Sequence, residues 1–149
     1  MTIIDVSPAA LQQARSVEPR ARTLQADVTQ PLKVTDAMAE TGVGPADLTL
    51  ICTDVAGAEG SAIVATATCG TVLFFSTATR FSAAAVGADA IGSHARLTIP
   101  NGLTEDRGQY ALDLLRAVPA LLRQFTAHGS GYVGLSEWAV EGSNLRPWD

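Results

Sequence analysis

Two short, continuous apolar runs constrain this chain more than any other feature: Asp47-Leu48-Thr49-Leu50-Ile51-Cys52-Thr53 and Thr71-Val72-Leu73-Phe74-Phe75-Ser76. Each has the length of a strand and lacks the polar alternation of a half-solvated one. Such runs are expected of parallel strands covered on both faces. Between them Glu59 to Thr68 is rich in Ala, Val and Ile, ends at Gly70, and reads as a helix. A strand, a helix and a second strand at this spacing predict a parallel βαβ unit with a right-handed crossover.

The rest of the chain repeats the alternation. Thr2-Ile3-Ile4-Asp5-Val6 reads as a short strand ending in an acid, and Ser7-Pro8 supplies an N-cap with proline at the first helical position. Ala9 to Ala14 continues as helix, Arg22 to Asp27 as a second strand, and Asp36 to Glu40 as a short helix closed by Gly42 and Gly44. A Gly/Ala-rich crossover leads from Ser76 towards Arg96-Leu97-Thr98-Ile99, a last parallel strand. Tyr110, Leu114, Leu115, Val118, Leu121, Leu122 and Phe125 recur at helical spacing within Asp106 to Phe125, where Pro119 predicts a kink. The expected fold is a parallel Rossmann-like α/β sheet of about five strands flanked by helices and truncated at the N-terminus. Residues 1–128 form that domain, and 129–149 form a Gly- and Trp-containing tail.

Charge and composition remove several function classes. A net charge of −5, with no Lys/Arg cluster interleaved with aromatics, excludes the footprint of a nucleic-acid binder. No apolar run approaches the ~20 residues that span a bilayer. Asp5 breaks the apolar start at once, so no basic-then-apolar leader opens the chain and a cytoplasmic protein is expected. Cys52 and Cys69 sit in apolar or small-residue runs and read as buried free thiols; with His94 and His128 equally isolated, no metal site is expected.

Ligands of open parallel sheets bind outside the carboxyl ends of the strands. Those ends are Thr53-Asp54-Val55, Ser76-Thr77-Ala78-Thr79-Arg80 and Pro100-Asn101-Gly102, which offer hydroxyls, a carboxylate, a guanidinium and an amide. Turn and capping chemistry is the competing explanation for each. Asp5 ends the first strand where dinucleotide-binding domains place a ribose acceptor, although a helix-capping aspartate would occupy the same position. A literal G-x-G-x-x-G, Gly129-Ser130-Gly131-Tyr132-Val133-Gly134, follows the longest helix rather than a strand. Its context is that of a connector, not of a phosphate cradle.

The stretch from Gly70 through Ser76-Thr77-Ala78-Thr79-Arg80-Phe81 to Gly92 resembles the L-erythro-3,5-diaminohexanoate dehydrogenase family. So do Ile99-Pro100-Asn101-Gly102-Leu103, Ala111-Leu112-Asp113-Leu114-Leu115-Arg116 and Asp5-Val6-Ser7-Pro8. The resemblance covers roughly residues 2 to 125. It implies a Rossmann fold, NAD as cofactor and oxidative deamination of a diamino acid. It would turn Asp5 towards the adenosine ribose, line the cofactor cleft with Thr53, Asp54 and Val55, and set Ser76, Thr77, Arg80 and Asn101 near the nicotinamide or substrate. Where the family has Met, Ser and Gly, this chain has Thr77, Arg80 and Pro100.

Three functions follow as expectations. The first is a repurposed, non-redox enzyme that keeps a small-molecule cleft at the strand ends. The second is an NAD-dependent amino-acid oxidoreductase completed by another chain, and the third a non-catalytic dimeric interaction module. Relative to the strand order 3-2-1-4-5-6, the central first strand with its Gly-rich turn has no counterpart here. Without it the Asp5 strand and the Leu48–Thr53 strand stand about 10 Å apart. Direct closure of that gap, together with a homodimer, is the expected compensation.

Overall fold

The computed structural model describes residues 1–76, 78–99 and 107–128. The chain divides into two compact units, Met1–Gly102 and Leu103–Asp149. In the first, strands and helices alternate: β1 (Thr2–Asp5), α1 (Pro8–Val17), β2 (Arg22–Gln25), α2 (Pro31–Glu40), β3 (Ala46–Ile51), α3 (Glu59–Val64), β4 (Thr66–Phe74), α4 (Phe81–Ala90) and β5 (Arg96–Thr98). Among the described residues every strand pairing is parallel, which makes this a Rossmann-like α/β arrangement of five strands flanked by helices.

The five strands fall into two ladders, β1-β2 and β3-β4-β5. Thr2 to Asp5 pair in register with Arg22 to Gln25. Leu48 to Ile51 pair with Thr71 to Phe74, and Thr71 to Leu73 with Arg96 to Thr98. β1 and β3 are not neighbours. The expected direct closure of the gap is therefore not what forms. Helix α2, the crossover between the ladders, packs on α3 instead.

Local chemistry accounts for the ends of the elements. Ser7 is extended, and its Oγ accepts the Ala10 amide at 3.3 Å while Pro8 opens α1. Helix α2 begins at Pro31, five residues before the apolar periodicity suggests, because proline at the first position needs no amide partner. It ends at Thr41 and turns through Gly42 at φ +66°. Helix α3 stops at Val64 rather than Thr68, and β4 starts at Thr66. Thr66 makes that junction: its hydroxyl donates to Ala62 O at 2.6 Å and shares a 2.7 Å hydrogen bond with Thr49 Oγ1. Thr66-Ala67-Thr68 is thus strand, as β-branched residues prefer.

Apolar burial is divided like the strands. One cluster joins Ile51, Ala62, Ile63, Val72, Phe74, Ala84 and Ala88 beneath α3 and α4. The other joins Leu24, Ala26, Val34, Met38 and Ala65, with Ile4, Ala37 and Val43 packed against it. Among the described residues Ile63, Val34 and Val72 are the largest fully buried side chains. Each contributes about 1.5–3 kcal/mol by leaving water. Contrary to the expectation of burial on both faces, Leu48 and Leu50 are 55% and 51% exposed and Phe75 57%. Register puts Leu50 beside Leu73 on the face opposite the buried Ile51–Phe74 pair. The helices of the second ladder bury that Ile51–Phe74 face. Cys52 and Cys69 are exposed rather than buried, Cys52 just past β3 and Cys69 in an irregular stretch of β4.

The second unit contains α5 (Arg107–Ala117) and α6 (Pro119–His128). Pro119 does more than kink one long helix. It starts a new one, the amides of Leu121 and Leu122 both returning to Val118 O. Gly129 to Gly134, the G-x-G-x-x-G run, lies outside the described residues.

Candidate functional site

The carboxyl ends of β3 and β4 are tied together. The ladder extends one step past β4, with the Phe75 amide donating to Ile51 O at 2.9 Å. Beyond it the Ser76 hydroxyl donates to Asp54 Oδ1 at 3.0 Å and accepts the Ala78 amide at 3.0 Å. Ser76 is 9% exposed, whereas Asp54 is exposed. The hydroxyl is thus a buried pivot holding a solvent-facing carboxylate. Thr53 is half-buried and Val55 exposed in the same loop.

A second tie runs from α3. Glu59 is buried, and its Oε1 accepts the Arg80 amide at 2.6 Å. Arg80 stands at the N-cap of α4 with an exposed side chain, and no side-chain cap bond forms there. Phe81, the first residue of α4, meets Phe74 edge-on with ring centroids 5.9 Å apart. This contact fixes the start of α4 against the end of β4. The result at the strand ends is a contact between the Asp54 carboxylate and the Ser76 hydroxyl, with the exposed Arg80 side chain four residues further along the same loop. Glu59 braces the loop from below.

Of the residues singled out in the sequence, Asp54 and Ser76 are brought into contact, and Arg80 follows Ser76 in the braced loop. Thr77 and Asn101 lie outside the described residues. Asp5 is at the carboxyl end of β1, in the other ladder. Its Oδ1 accepts the Ser7 amide at 2.7 Å, so one carboxylate oxygen serves the turn into α1. Glu59 was not among the sequence candidates. Its one signal was an acid at the start of a helix, where acids are common for dipole reasons alone. The 21-residue separation from Arg80 hid the rest.

NAD, the cofactor that the resemblance implies, requires a glycine-rich turn between a strand and a helix N-terminus. The turns leading into α1, α2, α3 and α4 contain one glycine between them, Gly57 at φ +97°. The described residues therefore form no dinucleotide phosphate cradle of their own. Nor does any group of His, Cys, Asp and Glu among them suit a metal ion. A depression of about 230 Å³, lined by Pro8, Leu11, Gln12, Arg15, Thr23 and Gln25, lies between α1 and β2. Its lining contains no acid and is no part of the strand-end contact. No helix among the described residues is long and apolar enough to cross a membrane.

Parallel βαβ units with polar groups gathered at the strand ends define a Rossmann-like domain, and its relatives are dehydrogenases. The chain is 34% identical over 121 residues to an L-erythro-3,5-diaminohexanoate dehydrogenase of Fusobacterium nucleatum, a match covering 80% of this chain and 34% of that protein. It is 39% identical over 70 residues to the enzyme of the same name from Acetoanaerobium sticklandii, covering 47% of this chain and 20% of that protein. The chain thus spans about a third or less of the length of the curated relatives it matches. No family model matches it.

Proposed function

We propose that this chain is a dehydrogenase-related domain that holds a small amino acid at the carboxyl ends of β3 and β4. The Asp54–Ser76 hydrogen bond carries the reading, because it joins two adjacent strand ends and presents a carboxylate to solvent. Asp54 receives the ligand ammonium, and Ser76 fixes the carboxylate that does so. Arg80, exposed at the N-cap of α4, receives the ligand carboxylate with help from the helix terminus. Thr53 and Val55 are assigned to its flanks, and Asp5 to the approach from the neighbouring ladder. The relatives' name, a dehydrogenase of a diaminohexanoate, supports a ligand bearing both groups. Hydride transfer is not assigned to this chain by itself.

Amide NMR during titration with 3,5-diaminohexanoate tests the reading. Saturable shifts are expected at Ala78 and Arg80. They should weaken in Asp54→Asn, Ser76→Ala and Arg80→Ala, and hexanoate, which lacks the ammonium, should move Arg80 alone. NAD should leave the spectrum unchanged. Shifts that persist in all three variants would remove the site, and saturable NAD binding by this chain alone would replace the proposal with a redox one.

A further inference from the structure

We infer that the depression between α1 and the outer edge of β2 takes an extended peptide bearing a carboxylate, which adds to β2 as one more strand. The inference is separate from the strand-end ligand and uses none of its residues. It starts from the backbone of β2. Arg22 N–H donates to Met1 O and Ala26 N–H to Asp5 O. In a parallel ladder alternate residues turn their amide and carbonyl to opposite sides, so Arg22, Leu24 and Ala26 serve β1. Thr23 and Gln25 turn theirs outward, where β2 has no strand partner among the described residues. Natural sheets commonly blunt such an edge with lysine or proline. Neither occurs in Arg22–Gln25.

The edge is also one wall of the 230 Å³ depression, whose other wall is Pro8, Leu11, Gln12 and Arg15 of α1. Those four stand at i, i+3, i+4 and i+7, one face of the helix. No residue of β1 lines the space, which puts it on the outer side of the ladder. Leu11 is buried and supplies an apolar floor. Arg15 is exposed, makes no ion pair among the described residues and meets no acid in the lining. Charge complementarity therefore selects a carboxylate. Helix α1 leaves the carboxyl end of β1 and returns to the start of β2, so Arg15 stands towards Thr23 and Pro8 towards Gln25. Leu11 and Arg15 are separated by about 6 Å along the helix. Alternate residues of a strand are separated by roughly 6.6 Å, nearly the same span. An added strand thus places an acidic side chain at Arg15 and an apolar one, two positions away, at Leu11. Its backbone meets the outward groups of Thr23 and Gln25.

Hydrogen exchange of the 149-residue chain tests this, with the blocked pentapeptides Thr-Glu-Thr-Leu-Thr and Thr-Leu-Thr-Glu-Thr as probes for the two strand directions. Without peptide, the amides of Thr23 and Gln25 should exchange faster than those of Arg22 and Leu24. With one of the two peptides near saturation they should slow by on the order of tenfold or more, while Arg22 and Leu24 stay as they were. Arg15→Ala should weaken that peptide by about fivefold, the upper worth of an exposed ion pair. Arg20→Ala is the control and should not, because the Arg20 guanidinium is already paired with Glu18. Thr23→Pro removes only an outward amide and is tolerated at an edge. That variant should keep the Leu24 and Ala26 amides protected and lose the peptide. Exchanging the peptide's Glu for Lys needs no change in the chain and should also abolish the slowing. Slow exchange at Thr23 and Gln25 in the dilute chain alone would overturn the inference, since the edge would already be covered. So would amides that neither peptide affects, a lysine peptide that binds equally well, or a folded Thr23→Pro chain that still responds. Acetate that reproduces the slowing would give the depression to a small anion, and slowing that grows with the chain's own concentration would give it to a second copy. Either result also overturns the inference.

Discussion

Gly70 sits where β4 passes closest to the start of β3, and replacing it with alanine should be costly for a reason that the distances specify. Between Ala46 and Leu48, β4 accommodates the longer stretch from Thr66 to Thr71, so the register shifts there. A Cβ at Gly70 would stand 2.7 Å from Thr66 Cγ2, 2.9 Å from Ala46 O and 3.0 Å from Asp47 O. Two of the three obstacles are backbone carbonyls, which retreat only if the strand moves. Thr66 cannot rotate away freely, because its hydroxyl is engaged by Ala62 O and Thr49. The penalty belongs at the upper end of overpacking, about 3 kcal/mol. Lost freedom of the unfolded chain returns about 0.4–1 kcal/mol. The net loss is about 2 kcal/mol. With a urea slope of about 2 kcal/mol per molar, the unfolding midpoint followed by circular dichroism should fall by about 1 M. Gly44→Ala is the matched control. Its Cβ meets nothing within 4 Å, so that variant should be neutral or slightly more stable. Equal midpoints for Gly70→Ala and the unaltered chain would refute the steric account of the β3–β4 register.

Two further outcomes follow from single groups. The Thr29 hydroxyl and amide, and then the Gln30 side chain, hold the Asp27 carboxyl below its ordinary range. Its contribution to stability is thus complete above the ordinary aspartate range and is lost as pH falls through the lower folded value. An acid titration of the unfolding midpoint should show a smaller drop in Asp27→Asn than in the unaltered chain. Ser61 Oγ is buried without a hydrogen-bond partner among the described residues. Ser61→Ala should therefore raise stability, by about 1 kcal/mol, in the same urea assay.

Much of the architecture was legible because parallel α/β units write their period into the sequence. Ser7-Pro8, Gly42 and the run from Leu48 to Ile51 each place an element to within a few residues. What was illegible depended on partners distant in sequence. A continuous apolar run cannot tell a strand buried on two faces from one whose second face stays open, and Leu48 and Leu50 are of the second kind. The Ala-rich context of Thr66 to Cys69 masked a strand start that the Thr66–Thr49 contact decides from 17 residues away. Strand-end logic singled out Asp54, Ser76 and Arg80, of which Asp54 and Ser76 are in contact. Glu59 escaped it, since a buried acid bracing a loop amide looks in one dimension like any helix-opening glutamate.

The division of the apolar interior into two clusters has a consequence for cooperativity. All-or-none unfolding requires that losing any part of the interior expose the remainder. In this chain the β1-β2 half and the β3-β4-β5 half meet at the α2–α3 seam and through Ala65, which alone of the second half's buried residues joins the first half's cluster. Heating should separate two transitions, with the smaller half melting first and carrying Asp5 and the turn into α1 with it. Whatever unites the two interiors would convert that sequence of events into a single transition. The protein's order at the amino-terminal half is therefore set by its weakest seam rather than by its best-packed residues.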